Sequence, residues 1–281
     1  MKLLKSCARF ARVILYGTVF ILASQVAAQD GPPEIEAISN RGHLIVAMTS
    51  FDNPPFYFVD HGHLEGIDVT LAEEIGQALG VEVKFDRTAE TFNEVVEKVR
   101  RGEADIAVSK ISRTITRARV VAFSRPYVRL HNALMFNRLN FAQNSNGRDL
   151  GDYVRNFDGA LGVIENSSFA AFALRRFPQA TIVPFKTWDE VVEATVSGTV
   201  DAAYRDEFEV RRITVDRPDT SISLRTVTIA DARDAISVVV RWDAPRLLAM
   251  VDQVIDDRPA ELTADDVIAL YRSKITSNAG H

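Results

Sequence analysis

Two stretches of this sequence carry side chains suited to gripping a small charged molecule. "SKISRTITR", Ser109 to Arg117, offers hydroxyls and cations, and "DEFEV", starting at Asp206, offers carboxylates. Arginine's planar fork can give a carboxylate two parallel charge-assisted bonds, which lysine cannot copy. A cleft with opposite charges on its two walls suits a zwitterion. A third stretch, "NSS" at Asn166 to Ser168, opens a predicted helix whose first amides could hold an anion. A plain helix cap accounts for those serines almost as well. His61 and His63 alternate within "VDHGHLEG", but without a clear third ligand they make no metal site. No phosphate loop, His-Glu-x-x-His or Gly-x-Ser-x-Gly motif is present.

Both charged stretches come directly after the same piece of chain. "TFNEVVEKVRRGEADIAVS" (Thr91 to Ser109) recurs as "TWDEVVEATVSGTVDAAYR" (Thr187 to Arg205), with Thr, Glu, Val, Val, Glu, Gly, Asp and Ala at matching places. Each copy opens with a capping box, Thr91 with Glu94 and Thr187 with Glu190. Apolar residues then recur at helical spacing, and Gly102 or Gly198 stands where a left-handed cap is wanted. "ADIAVS" and "VDAAYR" then read as short buried strands. The preceding halves are "HLIVAMTS", the helical stretch "IDVTLAEEIGQALG" with a Thr70–Glu73 capping box and Gly80 as terminator, and "VEVKFD", matched later by "GALGVI", "SSFAAFALRRFP" and "TIVPF". Two amphipathic units can resemble each other by chance. Either way, alternating strands and helices predict two α/β lobes with mainly parallel sheets. Ligands of such sheets sit beyond the carboxyl ends of the strands, where the two charged stretches lie.

The whole chain carries 33 Lys and Arg against 38 Asp and Glu, a formal charge of −5. Lys2, Lys5, Arg9 and Arg12 precede a short apolar run and "VAA" at Val26 to Ala28, which reads as a secretory leader cleaved after Ala28. A membrane anchor is the alternative, but the run is shorter than the roughly 20 residues a span needs. Cys7, the only cysteine, lies in that leader. Without those four basic residues, 29 cations face 38 anions, a formal −9. So acidic a chain is a poor partner for nucleic acid or anionic membranes.

Taken together, these residues give the chain a resemblance to the periplasmic amino-acid-binding proteins of ABC transporters, the bacterial extracellular solute-binding proteins of family 3. The resemblance rests on "PPFYF", "LEGIDVTLAEEIGQALGVEV", "RRGEADIAVSKISRTITRARVVAFSRPY", "GVIENSS" and "GTVDAAYRDE". Its most specific part is Thr114 and Arg117, then Phe123-Ser124, then Pro126-Tyr127. It implies a type II periplasmic-binding fold, two lobes closing like a hinged trap about two crossing strands, within "VRLHNALMFNR" (from Val128) and "DAISVVVR" (from Asp234). The division expected is a leader at 1–28, lobe 1 at 29–131, lobe 2 at 132–239, and C-terminal helices returning to lobe 1 at 240–281.

The resemblance also implies site residues. Arg117 would grip the ligand α-carboxylate, and Asp206 would take the α-ammonium unless it merely caps a helix. Ser109 and Ser112 would donate hydrogen bonds, Asn166, Ser167 and Ser168 would hold the carboxylate, and Phe92 would be an apolar wall or a core residue. Three positions depart from the family's pattern. Lys110 brings a second cation, favouring a dicarboxylic ligand, or else is simply exposed. Asn53 stands where relatives have an aromatic lid, for which Phe51 could substitute. Asn166 replaces a glycine. The expected function is an extracytoplasmic, monomeric receptor that captures an amino acid or related acid for a membrane permease. No catalytic residue, metal, cofactor or nucleic-acid partner is expected. A dehydratase-like enzyme on the same scaffold, drafting Lys110, Glu165 or Glu207 as acid, and a sensor feeding a signalling receptor are the alternatives.

Overall fold

A computed structural model of the chain describes residues 32–145 and 147–279. The expected leader, with Cys7 and the cleavage point after Ala28, lies outside the described residues. Lobe 1 begins with α1 (Pro33–Arg41), β1 (His43–Thr49), a hairpin of β2 (Phe58–Asp60) and β3 (His63–Glu65), α2 (Ile67–Leu79) and β4 (Glu82–Ala89). It continues through α3 (Phe92–Arg100), β5 (Ile106–Ala107) and the short α4 (Ile115–Ala118) into the long strand β6 (Val121–Asn137). Lobe 2 holds α5 (Arg138–Asn144), α6 (Leu150–Arg155), β7 (Ala160–Ile164), α7 (Ser168–Arg176), β8 (Thr181–Phe185), α8 (Trp188–Val196), β9 (Ala202–Asp206) and α9 (Glu207–Asp216). The second long strand, β10 (Leu224–Arg241), leads back to α10 (Pro245–Asp256) and α11 (Ala264–Ala279).

One sheet runs through both lobes in the order β4-β1-β5-β10-β6-β9-β7-β8. β4, β1 and β5 are mutually parallel, as are β8, β7 and β9, while β6 and β10 run antiparallel to each other and to their outer neighbours. Those two long strands are the hinge. Their pairing is broken between Ile229 and Arg233; on one side Asn132 pairs with Asp206 of lobe 2, and on the other Val239 pairs with Ala107 of lobe 1.

Period-2 alternation explains the two-sided core. Leu44, Val46 and Met48 of β1 join one apolar cluster, while Ala47 joins a second on the opposite face with Val95, Val96 and Val99 of α3. In lobe 2, Leu134 and Phe136 pack on one side of β6, and Ala133 and Met135 pack on the other against Val191 and Val192 of α8. Among the described residues no helix is long and apolar enough to cross a membrane.

Two local expectations need correction. The stretch from Ile67 to Gly80 is helical as expected, but the Thr70–Glu73 box does not cap it: α2 starts at Ile67 after Gly66, with no side-chain cap. Its first amides are satisfied instead by the loop before it, Ile67 N–H donating to the Pro55 carbonyl and Asp68 N–H to that of Phe56. Gly66 permits this approach, because a Cβ there would lie 2.3 Å from the Phe56 carbonyl oxygen. The other correction concerns the first repeat. Thr91 accepts from the Glu94 amide, but the Glu94 carboxylate turns to the Glu90 amide, so only the Thr187–Glu190 box is reciprocal.

Candidate functional site

The loop after β5 is fixed at three points before it reaches the cleft. Ser109 is fully buried and its hydroxyl accepts from the Thr49 amide at 3.2 Å, so it ties β5 to β1. Lys110 has a left-handed backbone (φ 49°), held by its amide donating to Asp68 Oδ2 at 2.6 Å. Tyr127 donates to the other Asp68 oxygen at 2.8 Å. Burial pushes the Asp68 carboxyl up to about 7, against the pull of those bonds. Farther on, Ser112 bridges to Ile236 of β10, and the Arg113 amide donates to the Ala235 carbonyl. The loop is thereby fastened to the hinge.

Thr114 then caps α4, and that single turn swings Arg117 inward, where it is 6% exposed. Its Nε and Nη2 donate to Asn93 Oδ1 at 3.2 and 2.9 Å, and Nη1 donates to the Ser112 carbonyl at 3.0 Å. Burial lowers the guanidinium to about 10, with Asp234 partly opposing. From lobe 2, Ser167 caps α7, accepting from the Ala170 amide, and the Ser168 hydroxyl donates across the cleft to Ser112 at 2.9 Å. Ser112 in turn donates to Asp234 Oδ2 at 2.7 Å.

Asp206 caps α9, its Oδ1 accepting from the Glu209 amide at 3.1 Å. Its other oxygen is taken by Lys110, whose ammonium lies 3.0 Å from Asp206 Oδ2 and 2.7 Å from Glu209 Oε1. The same ammonium sits over the rings of Phe56 and Phe208, 4.7 and 5.1 Å from their centroids. Arg205 and Arg212 each approach Glu209 to 3.5 Å. Burial alone would raise the Glu209 carboxyl, but Lys110, Arg212 and Arg205 outweigh it and hold it well below the usual range.

Of the residues expected to meet a ligand, Phe92, Lys110, Ser112, Arg117, Ser167, Ser168 and Asp206 line one cavity between the lobes. The cavity spans about 390 Å³, part of it open to solvent, and leaves only about 20 Å³ for a water-sized occupant, with the Ser168–Ser112 bond crossing between the lobes. The lobes are therefore closed down on each other. Ser109, Phe51, Asn53 and Asn166 do not line it. Phe51 stacks edge-on against Phe92 at 5.6 Å, Asn53 is buried in a turn bonded to Tyr57, and Asn166 is exposed with φ 53°. Lys110 is 5% exposed, which removes the surface reading, and its charge is spent inside the protein rather than offered to a second ligand carboxylate. Sequence reasoning missed Asp234, Arg205 and Tyr204, which also line the cavity.

Residues 45–272 match the family model described as bacterial extracellular solute-binding proteins, family 3. The chain belongs to that family. Among curated relatives, a membrane-bound lytic murein transglycosylase F of Idiomarina loihiensis is 28% identical over 226 residues, 75% of this chain and 46% of that protein. A probable histidine-binding protein of Campylobacter jejuni is 27% identical over 117 residues, 42% of this chain and 44% of that protein. The chain thus spans half or less of these curated relatives' length. Among solved structures, an amino acid ABC transporter substrate-binding protein from Streptococcus pneumoniae bound to L-arginine superposes with a TM-score of 0.65 at 24% identity, over 85% of this chain and 96% of that one. The arginine-bound form of a truncated arginine-binding protein from T. maritima gives 0.62 at 26% identity, over 79% and 99%. As a family 3 protein, the chain holds its cavity where the lobes of such a fold meet.

Proposed function

We propose that the protein captures a small carboxylate-bearing solute, an amino acid or a related acid, between its lobes and presents it to the permease of an ABC transporter. One observation carries this reading. Arg117 is a buried guanidinium that, among the described residues, has no carboxylate within ion-pair distance, and it faces the interlobe cavity. An uncompensated buried cation is costly, and an incoming carboxylate would offset that cost through the two N–H groups left by its three hydrogen bonds. Membership of the solute-binding family and the arginine-bound neighbours support the same chemistry.

Entry requires the lobes to part, since the closed cavity has room for little more than water. Ligand and closed state then stabilise each other. The leader at 1–28 would deliver the chain to the periplasm, where it would act as a monomer.

The test is a thermal-shift screen of the purified protein against amino acids and small carboxylic acids, with calorimetry on the hits. At least one should raise the melting temperature without being consumed. Arg117→Ala should weaken its binding by about 2–5 kcal/mol, the usual loss for a truncated buried charge partner. Retained binding would remove Arg117 from the site. A product detected by mass spectrometry would turn the reading to an enzyme.

A further inference from the structure

The charges that line the cleft or lie directly behind its wall fall into two sets. Lys110, Asp206, Glu209, Arg205 and Arg212 form ion pairs with one another at 2.7 to 3.8 Å, although Nε of Arg205 and of Arg212 finds no hydrogen-bond partner among the described residues. Two others do not join that set. Arg117 and Asp234 are buried, line the same cavity, and among the described residues make no ion pair with each other or with any other group. Asp234 spends one oxygen on the Ser112 hydroxyl, while its Oδ1 is buried with no hydrogen-bond partner among the described residues. Orphaned buried acceptors are rare and costly. Here the orphan sits on a cavity wall that also carries an under-used guanidinium.

We propose that Asp234, on the hinge strand β10, receives the ligand's α-ammonium in place of Asp206, while Arg117 holds the α-carboxylate. The proposal rests on the cleft capturing a carboxylate-bearing solute, and it narrows that solute to a zwitterion. Asp206 is unsuited to the task because Lys110 already supplies an ammonium 3.0 Å from it, and its other oxygen caps α9. A second ammonium there would face a like charge a few ångströms away in a water-poor site. Around Asp234 the balance is different. Burial pushes its carboxyl up to about 7 against the Ser112 hydrogen bond and the attraction of Lys110 and Arg117, with repulsion from Asp206 adding to the rise. An ammonium at Oδ1 supplies the compensation that the protein itself leaves out. Ser112 then becomes a positioning residue, holding Asp234 through its hydroxyl, Arg117 through its carbonyl and Ser168 of the opposite lobe at once.

The experiment compares each α-amino acid with its des-amino twin (alanine with propionate, for example) by calorimetry on the wild type, Asp234→Asn and Asp206→Asn. The readout is the preference for the amino acid over its twin. In the wild type this preference should be about 100-fold or more, the scale of a buried charge pair left half-made. In Asp234→Asn it should collapse to within about threefold, and in Asp206→Asn it should survive, because that residue does not touch the ammonium. A wild type that binds twin and amino acid equally overturns the Asp234 assignment but leaves carboxylate capture standing. A preference lost in Asp206→Asn and kept in Asp234→Asn also overturns it. If the wild type binds neither amino acids nor twins, carboxylate capture falls too. Should Asp234→Asn fail to fold, the wild type and Asp206→Asn still decide: a preference absent from the first, or abolished in the second, sinks the proposal.

Discussion

The segments α3–β5 and α8–β9 are built alike yet end in opposite chemistry. Both helices start on a threonine cap, bury a pair of adjacent valines and end at a left-handed glycine, Gly102 or Gly198. Both strands then deliver the chain to the cleft. The first delivers Lys110; the second delivers Asp206 and, one helical turn on, Glu209. These opposite charges meet each other rather than leaving two walls for a ligand. The unpaired charges come from elements that the repeat does not contain, α4 for Arg117 and the hinge strand for Asp234. The duplicated piece thus supplies scaffold and an interlobe clasp, and the non-repeated pieces supply the two charges left without an ion pair among the described residues.

The clasp should give the largest effect. Lys110→Ala leaves Asp206 and Glu209 buried without their shared ammonium, which should cost about 3–5 kcal/mol in urea unfolding. Arg117→Ala removes a buried cation that has no ion-paired acid among the described residues, so it should cost clearly less. Similar losses in both variants would break the division into paired and unpaired charges. Lys110→Ala should also loosen closure, seen as a larger radius of gyration of the ligand-free protein by X-ray scattering.

A pH series isolates the unpaired acid. The folded-state carboxyl of Asp234 is raised from 3.8 to about 7 by burial, so between those values the folded chain keeps a proton that the unfolded chain has released. Its contribution to stability is complete below about 4 and is lost as pH rises through about 7, an effect of a few kcal/mol at most. Asp68 behaves in the same direction. Lys110, Arg117 and Asp206 face Asp234 as well, so the difference between wild type and Asp234→Asn is more telling than either curve alone. Ligand-free Asp234→Asn should melt above the wild type at pH 8, and the gap should close toward pH 4. A gap independent of pH would mean that Asp234 is ionised without penalty.

Much of this arrangement was legible in the residues. Strands β1, β7, β8 and β9 and helices α3, α7 and α8 arise from local periodicity and caps, which need no knowledge of the rest of the chain. Seven of the eleven expected site residues line the cavity because the ends of parallel strands point there. The capping of α2 was not legible, because backbone carbonyls of Pro55 and Phe56, not the Thr70–Glu73 side chains, satisfy its first amides, and no residue type advertises that. The pairing of Lys110 with Asp206 and Glu209 was hidden because it joins residues about a hundred positions apart across two lobes. Asp234 did leave a trace, as an acid directly before the apolar run "AISVVV", where a charge is out of place unless something compensates it.

The smallest prediction returns to the two helix starts. Thr91 and Thr187 each accept from the amide three residues on, so replacing either by Ala should cost about 1 kcal/mol. Their glutamates should part company. Glu190 accepts from the amides of Lys186 and Thr187 at 2.9 and 3.3 Å, whereas Glu94 accepts only from that of Glu90 at 2.7 Å. Glu190→Ala therefore strands two amides against one for Glu94→Ala, and exposed as these ends are, the difference should be a few tenths of a kcal/mol. Equal costs would show that the longer 3.3 Å bond contributes nothing, and that the two copies diverge only beyond their strands, in the charges they bring to the cleft.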